Sequence, residues 1–372
     1  MISPGHTLPR NILMEARRRL LRKPGCRNAM FSSKGDLEDV KLWKPDGIIA
    51  HIHSPSFLDR LAEFQLPIVN CSRVLENLPY PTVTPDNALI GQKAAEHLRR
   101  QGYEYFAYVG NTDLVYSRER MHGFQHHIPQ EQLLPHFEGI LPPQMSLERE
   151  DKPYPGQLLE WLRSLPPQTG VLASDDPTAS VIVEALKLLN VEGNDRPGVV
   201  SGHDMDWPSD PPITAVEISN RKWGTLAGEM ILNWIAAPGE QPPDHFFDPG
   251  ELNERESTSL VATSDPLVLA AVQYIRDHAD QDLAVPDVAA AVGRGRRTLE
   301  RRFQEEIGHT VLVEINRAHV RLAKQLLRET NDAVSIVSRN AGLDDVNRLI
   351  RLFRKYEKMT PGKYRETVRE LG

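Results

Sequence analysis

The sequence has little that would mark a secreted protein, a membrane protein or a common catalyst. Its 372 residues hold two cysteines, Cys26 and Cys71. Two are too few for a disulfide framework and follow no metal-ligand spacing, so a reducing cytoplasm is the expected compartment. No apolar run approaches the roughly 18 uninterrupted residues of a membrane span, so no membrane partner is expected. The opening MISPGHTLPRNILMEARRRLL lacks the apolar core and cleavage site of a secretory signal. G-x-S-x-G, P-loop and G-x-G-x-x-G motifs are missing, and nothing calls for a cofactor. His122 and His126 are four residues apart in RMHGFQHH without a third ligand nearby, which fits a solvated helix face better than a metal site. Asp175 and Asp176 are neighbours at a strand end and point in different directions. Glycoside hydrolysis needs two carboxyls opposed across a bond, so a sugar-processing enzyme is the disfavoured alternative.

What the chain does have is charge, unevenly spread. Lysine and arginine total 44 against 51 acidic residues, yet from Leu267 onward the count is 19 basic to 15 acidic. The tail therefore carries a net +4 and the preceding body a net −11. Such asymmetry suggests an acidic body with no affinity for nucleic acid and a tail that can have some. The stretch VGRGRRTLERRF, residues 292–303, concentrates five arginines in twelve residues. It is either a solvated helix face or a helix that lies against phosphate.

Short apolar runs alternate with helical patterns from about residue 45 to 235. Strands are expected at 46–50, 67–70, 105–110, 170–174, 198–202 and 213–216. Between them lie amphipathic stretches such as NALIGQKAAEHLRRQG, where Ile90, Ala94, Ala95 and Leu98 fall at helical spacing. Strands this apolar, alternating with helices, imply an α/β unit with a mostly parallel sheet covered on both faces. Ligands of such sheets bind at the carboxyl ends of the strands. Here those ends carry Asn70, Asn111, Ser174-Asp175-Asp176 and His203-Asp204. Asp86 fits a helix cap better than a ligand contact. Of the alternating pair Arg118 and Arg120, one can serve simply as partner to an acid.

From 236 to 266 the pattern gives way to Pro, Gly, Ser and acid, a boundary segment with at most one edge strand near STSLVAT. The expected division is an effector domain over 1–240, a linker over 241–266 and an all-α domain over 267–372. In the latter, VPDVAAAV carries Pro286 in its first turn and stops at Gly293. With Gly295 in the N-cap position, RRTLERRFQEEIG places Leu299, Phe303 and Ile307 on one face. These two helices and their turn form a helix-turn-helix near 285–306. Arg297 and Arg301 then share an outward face with Glu300 beside them, a set able to read guanine and cytosine edges. Arg296 and Arg302 flank it and suit phosphates. The arrangement recurs near 334–357. There Asp345 caps VNRLIRLFRKY, Leu349, Leu352 and Phe353 face inward, and Asn347, Arg348 and Arg351 face outward. The helix between the units, with Ile315, Leu322 and Leu326 inward, is roughly 27 Å long if it has about eighteen residues. That compares with roughly 34 Å between successive major-groove faces.

The residues from Leu283 to Arg365 resemble the DNA-binding domain of the arabinose-operon regulator (AraC) class. The matching segments are V-AAAVG, R-TLERRF, IG-T, R-RLAKQLL-ET, AG, F-K and MTPGKYR. Three positions depart from that class: Leu343 replaces a usual Phe, Lys358 a usual Gly and Gly295 a usual Ser cap. Upstream, TVTPDNALIGQKAAEHLRRQGYEYFAYVG, SRERMHGF, ASDDPTA, and GVVSGHDMD with PPITAVEI resemble the effector-binding core of the lactose- and purine-repressor group. That core shares its two-lobed fold with periplasmic sugar-binding proteins. Together the two halves resemble the xylose-operon regulators.

The resemblance implies a two-lobed periplasmic-binding-protein-like α/β domain followed by an all-α domain with two helix-turn-helix units. It also implies a transcription regulator, in all expectation an activator, responding to a small sugar such as xylose. Its partners would be double-stranded DNA half-sites, a second copy of the chain in a homodimer and, for an activator, RNA polymerase. Effector contacts carry over to Arg118, Asp175 and Asp204, with Asn70 added, and Trp207 or Tyr116 would cover an apolar sugar face. The first strand of the fold is hard to find in MISPGHTLPR, whereas NILMEARRRLLRK reads as the helix after it. A constitutive DNA-binding regulator with a degenerate sensor is therefore the alternative.

Overall fold

The computed structural model describes all residues except 1, 4–6, 33–36, 139–155, 192–195, 206–208, 210, 259–264, 358 and 372. The chain forms two compact units. The first comprises Met1–Asn190 with Gly198–Thr258, and the second consists chiefly of Ser259–Gly372.

The first unit is built on two main sheets. Strands β1 (Ile2–Ser3), β2 (Phe31–Ser32), β3 (Ile48–Ala50) and β4 (Ile68–Asn70) make a parallel sheet in the order β2-β1-β3-β4. The strand that was hard to find in the opening residues is the two-residue β1, paired with both β2 and β3. Helix α1 (Thr7–Leu21) follows it, and α2 (Glu38–Trp43) and α3 (Pro55–Ala62) alternate with the later strands. Phe57 and Leu61 of α3 pack with Ile48, Ala50 and Ile68.

The chain then passes through β5 (Val83–Pro85) into α4 (Asn87–Gln101) and the second sheet. Asp86 caps α4, accepting from the Leu89 amide at 3.0 Å. Next come β6 (Tyr105–Gly110), α5 (Val115–His126), β7 (Phe137–Glu138), α6 (Gly156–Ser164), β8 (Thr169–Ala173), α7 (Asp176–Leu188), β9 (Gly198–Ser201) and β10 (Thr214–Val216). Every residue of β8 and β9 is buried, as a strand covered on both faces requires. Helix α8 (Asn220–Ala236) returns to the first sheet, where Trp223, Ala227 and Ile231 meet Ile12, Leu13 and Ala16 of α1.

Residues 241–258, expected as a linker, are part of this first unit. Strand β11 (His245–Phe247) pairs with β5, and β12 (Leu252–Asn253) runs antiparallel to β10. The second sheet has the order β12-β10-β9-β8-β6-β7. Where an edge strand was expected near 257–263, Glu256–Thr258 is a single 3-10 turn; the rest lies outside the described residues. Composition misled here because the segment buries only isolated apolar side chains, chiefly Phe247 with Leu252 against it, and is otherwise held by backbone pairing and polar side chains.

Helices α4 and α5 cross in near backbone contact. A Cβ on Gly123 would lie 2.0 Å from the Ala88 carbonyl oxygen, and one on Gly91 2.1 Å from that of Arg120. Only glycine permits this approach, which sets how α5 presents its side chains to the strand ends of the second sheet.

The second unit is helical throughout its described residues: α9 (Pro266–Asp277), α10 (Val285–Ala291), α11 (Arg296–Ile307), α12 (Val311–Glu329), α13 (Val334–Asn340), α14 (Val346–Tyr356) and α15 (Pro361–Leu371). Leu299 and Phe303 join Val288, Val311 and Ile315 in one core. Leu349 and Phe353 join Val320, Leu327, Val337 and Leu343 in another. Helix α12 serves both, and Leu322 touches each. Leu343 is fully buried, so the smaller side chain still fills its place. Lys358 lies outside the described residues. No helix among the described residues is long and apolar enough to cross a membrane.

Candidate functional site

Two sets of side chains stand out, one on the helices of the second unit and one at the strand ends of the first.

On α11, burial of Leu299 and Phe303 turns Arg296, Arg297, Arg301 and Arg302 outward. Gly295 occupies the N-cap without a side-chain cap. Arg296 pairs with Glu300 at 3.1 Å and Arg301 with Glu305 at 2.7 Å, each one helical turn away. Exposed i,i+4 pairs contribute about 0.3–0.5 kcal/mol each, so both guanidiniums exchange partners readily. Arg297 forms no ion pair or hydrogen bond among the described residues. Arg302, expected to suit phosphate, pairs with Asp265. Asp265 is the N-cap of α9, accepting from the Leu267 amide at 2.8 Å, so Arg302 ties two helices together.

On α14, Asp345 caps as expected, accepting from the Asn347 amide at 2.9 Å. Asn347 and Arg351 are exposed, and Arg351 lies 3.9 Å from the Asp345 carboxylate. Arg348 departs from the expected outward face. It donates to Asp282 at 3.0 Å and reaches Asn316 at 3.5 Å. Arg354, missed in the sequence, is exposed and makes no ion pair or hydrogen bond among the described residues. Its signal was available, since Asn347, Arg351 and Arg354 fall at i, i+4 and i+7. The two helices thus offer unequal sets: Arg297 with loosely held Arg296 and Arg301 on one, Asn347, Arg351 and Arg354 on the other.

In the first unit, the carboxyl ends of β8 and β9 bring together Ser174, Asp175, Asp176, His203 and Asp204, with Tyr116 and Arg120 of α5 beside them. The four residues expected to touch an effector fare differently. Asn70 is fully buried and committed to backbone and strand end. Its amide nitrogen donates to the Ser72 carbonyl at 2.7 Å and to Thr82 Oγ1 at 3.0 Å, and its oxygen accepts from the Ile52 amide at 3.2 Å. Arg118 donates to the Thr112 carbonyl at 2.9 Å and pairs with Glu76. Asp175 is the N-cap of α7. Its Oδ1 accepts from the Thr178 amide and hydroxyl, and its Oδ2 from Tyr116 Oη and Ser174 Oγ, which fills the four sites of a carboxylate. Asp204 differs. Its Oδ2 accepts from Asn253 Nδ2 and Arg255 Nη2, both at 2.7 Å, while Oδ1 takes no hydrogen bond among the described residues. Trp207 lies outside the described residues.

The residue the sequence missed is Arg120. It is 4% exposed, donates to Asn87 Oδ1 at 3.0 Å and to the Ser174 carbonyl at 2.5 Å, and lies 5.0 Å from the Tyr116 ring centroid. Among the described residues no carboxylate pairs with it. Burying its charge is costly; the Asp175 and Asp176 carboxylates nearby offset part of that cost, and a polar ligand at the strand ends would offset more. Burial lowers the affinity of Arg120 for its proton. Burial and the Arg120 charge push His203 down to about 3, so this imidazole is neutral, and its buried Nε2 has no hydrogen-bond partner among the described residues. Burial pushes Asp176 up to about 7. The periodicity held the clue to Arg120: Ser117, Arg120, Met121 and Phe124 form the buried stripe of α5, and Arg118 lies off it. His122 and His126 are exposed.

A periplasmic binding protein-like domain family matches residues 95–258, and a helix-turn-helix domain family matches residues 288–367. The xylose operon regulatory protein of Escherichia coli (strain K12) is 27% identical over 347 residues, covering 90% of this chain and 87% of that protein. The arabinose operon regulatory protein of the same strain is 32% identical over 118 residues, 32% of this chain and 40% of its own length. Among solved structures, that of a xylose-binding transcription activator has a TM-score of 0.69 at 24% identity, covering 98% of this chain and 97% of that one. The fold is shared from end to end.

Proposed function

We propose that this chain, which joins a periplasmic-binding-protein-like domain to an AraC-type helix-turn-helix domain, is a DNA-binding transcription regulator that responds to xylose. The near full-length similarity to a xylose operon regulatory protein supports the sugar. The observation that carries sensing is the buried Arg120, without an ion pair to any described carboxylate, at strand ends that also carry Asp204, whose Oδ1 takes no hydrogen bond among the described residues. Guanidinium donors and a carboxylate oxygen suit the hydroxyls and ring oxygen of a small sugar. The effector domain extends to Thr258 and the DNA-binding domain covers 267–372. Arg296, Arg297, Arg301, Asn347, Arg351 and Arg354 make the DNA contacts. Two chains associate through their effector domains in the cytoplasm and engage repeated half-sites. Sugar favours closed lobes, and differential affinity for closed and open states biases that engagement. Contact with RNA polymerase then makes the protein an activator.

Fluorescence anisotropy on DNA from the region upstream of the protein's own coding sequence tests this reading. The titration is run at two salt concentrations, with and without xylose, arabinose, ribose and glucose. Specific binding changed by xylose alone is the expected result. Specific binding changed by another sugar would replace the effector. Binding indifferent to every sugar would favour constitutive regulation by a chain whose sensor has degenerated, and no binding beyond what competitor DNA removes would end the regulator reading.

A further inference from the structure

The segment that closes the first unit, residues 252–258, is stitched to the second sheet largely by side chains. Strand β12 contributes two ladder residues, Leu252 and Asn253. Beyond it, the Arg255 amide donates to Thr214 Oγ1 at 2.8 Å and Arg255 Nη1 to the Ile213 carbonyl at 2.7 Å. Ser257 Oγ donates to the Val199 carbonyl and accepts from the Thr214 amide. Thr258 Oγ1 lies 2.8 Å from both Thr214 Oγ1 and His97 Nε2. Two side chains of this segment leave the pattern and converge on one atom, Asp204 Oδ2.

We propose that Asn253 and Arg255 are positioning residues for the effector site. They hold Oδ2 of Asp204 so that Oδ1 stands as the acceptor for a sugar hydroxyl, and they couple occupancy of that oxygen to the attachment of residues 252–258. The proposal rests on the sugar-sensing reading above. A carboxylate tied by one oxygen loses the freedom to rotate, so binding at the other oxygen meets a smaller ordering cost. Arg255 also sets the charge balance, because Asp176 and Asp204 lie near one another and a bound cation limits their mutual repulsion. Coupling is reciprocal. If the segment orients Asp204 for the sugar, the sugar must strengthen the hold of Asp204 on the segment. The last residue of that segment, Thr258, is also the last of the first unit, which places the effect where the chain leaves the sensor.

The test is isothermal titration of the full-length protein with xylose, paired with hydrogen exchange over peptides covering 252–258. Wild type, Asn253→Ala, Arg255→Lys, Asp204→Asn and the Asn253→Ala/Asp204→Asn double variant are compared, each first checked for cooperative melting. Asn253→Ala is expected to weaken xylose binding by about tenfold, the scale of one hydrogen bond to a charged group, and to have no further effect once Asp204 is Asn. Xylose is expected to slow exchange at 252–258 in wild type and less so in Arg255→Lys, whose ammonium cannot reproduce the forked contact. Wild-type affinity in both Asn253→Ala and Arg255→Lys would overturn the proposal. So would additive losses in the double variant, which would mark a general structural effect. If wild type does not bind xylose, the sensing reading itself fails, a result distinct from sugar binding that ignores these residues. Should Asn253→Ala not fold, the Arg255→Lys affinity and exchange decide the matter.

Discussion

Arg348 of the second recognition helix donates to Asp282, which lies between α9 and α10, at a distance of 3.0 Å. The contact joins one helix-turn-helix unit to the other. His319 of α12 adds to it, its Nδ1 3.0 Å from the Ala279 carbonyl oxygen. The Arg348 contact ties α14 to the segment between α9 and α10, a role that its alanine variant separates from one on DNA. Arg348→Ala is expected to lower affinity for DNA bearing both half-sites by about fivefold, the scale of a partly exposed ion pair. Affinity for a single half-site should change little, and the salt slope should stay as in wild type. A slope smaller by about one would place this guanidinium on phosphate instead.

Arg297 gives the opposite expectation. It is the exposed arginine of α11 without a partner among the described residues, so none of them competes for it. Arg297→Ala should cost about 1–3 kcal/mol of DNA affinity and leave the melting temperature within error of wild type. Titration against operators varied one base pair at a time decides its role. Relaxed discrimination at one position marks a base contact, whereas uniform weakening with a shallower salt slope marks a phosphate contact.

Two glycines of the second unit separate backbone strain from packing. Gly293 (φ +64°) and Gly342 (φ +71°) both lie in the left-handed region. Gly293 faces open space, whereas a Cβ on Gly342 would lie 2.4 Å from the Gln281 carbonyl oxygen. Gly293→Ala should cost about 1 kcal/mol from conformation alone. Gly342→Ala adds a clash with backbone and should cost about 3 kcal/mol. Urea denaturation followed by circular dichroism measures both, and equal losses would contradict the close approach.

Asp176 and His203 make opposing contributions to the pH dependence of stability. Asp176, raised by burial to about 7, keeps its proton in the folded chain where the unfolded chain releases it near pH 4. Its contribution is present below about pH 4 and lost as pH rises through 7. His203, lowered by burial to about 3, contributes above about pH 6.5, and that contribution is lost as pH falls toward 3. Between about pH 4 and 6.5 the two oppose one another. Asp176→Asn removes the first and keeps an acceptor for the Met205 amide. Its stability relative to wild type should therefore rise with pH from about 4 to 7 and level off above. On acidification below about 6.5 it should lose stability more steeply than wild type. A difference independent of pH, measured by urea denaturation across this range, would show that Asp176 titrates like an exposed carboxylate.

The strands of the first unit were legible where the chain is apolar for four or more residues, because a strand buried on both faces needs little but apolar surface. The runs at 105–110, 170–174 and 198–202 became β6, β8 and β9. The three-residue strands β3, β4 and β10 were also expected, within 46–50, 67–70 and 213–216, whereas β1, β7, β11 and β12 were not legible. Each is too short to carry a periodicity, and it is the neighbouring strand that extends it. The second unit was legible almost throughout, since its helices carry apolar stripes and the caps Asp345 and Gly295 mark where two of them begin. The effector residues were harder. Position after a strand suggested Asn70 and Asp175, but whether such a residue meets a ligand depends on which of its lone pairs are already taken.

The sequence by itself determined the two-part organisation, the helical repeat and the face of each recognition helix, because these follow from spacing within one helix or strand. Only the tertiary structure decided which polar groups on those faces are free. Arg302 pairs with Asp265 and Arg348 with Asp282, partners 37 and 66 residues away, and in the first unit Asn253 and Arg255 take one oxygen of Asp204. A charged group pairs with whatever the folded chain brings within about 3 Å, and that depends on how distant elements pack.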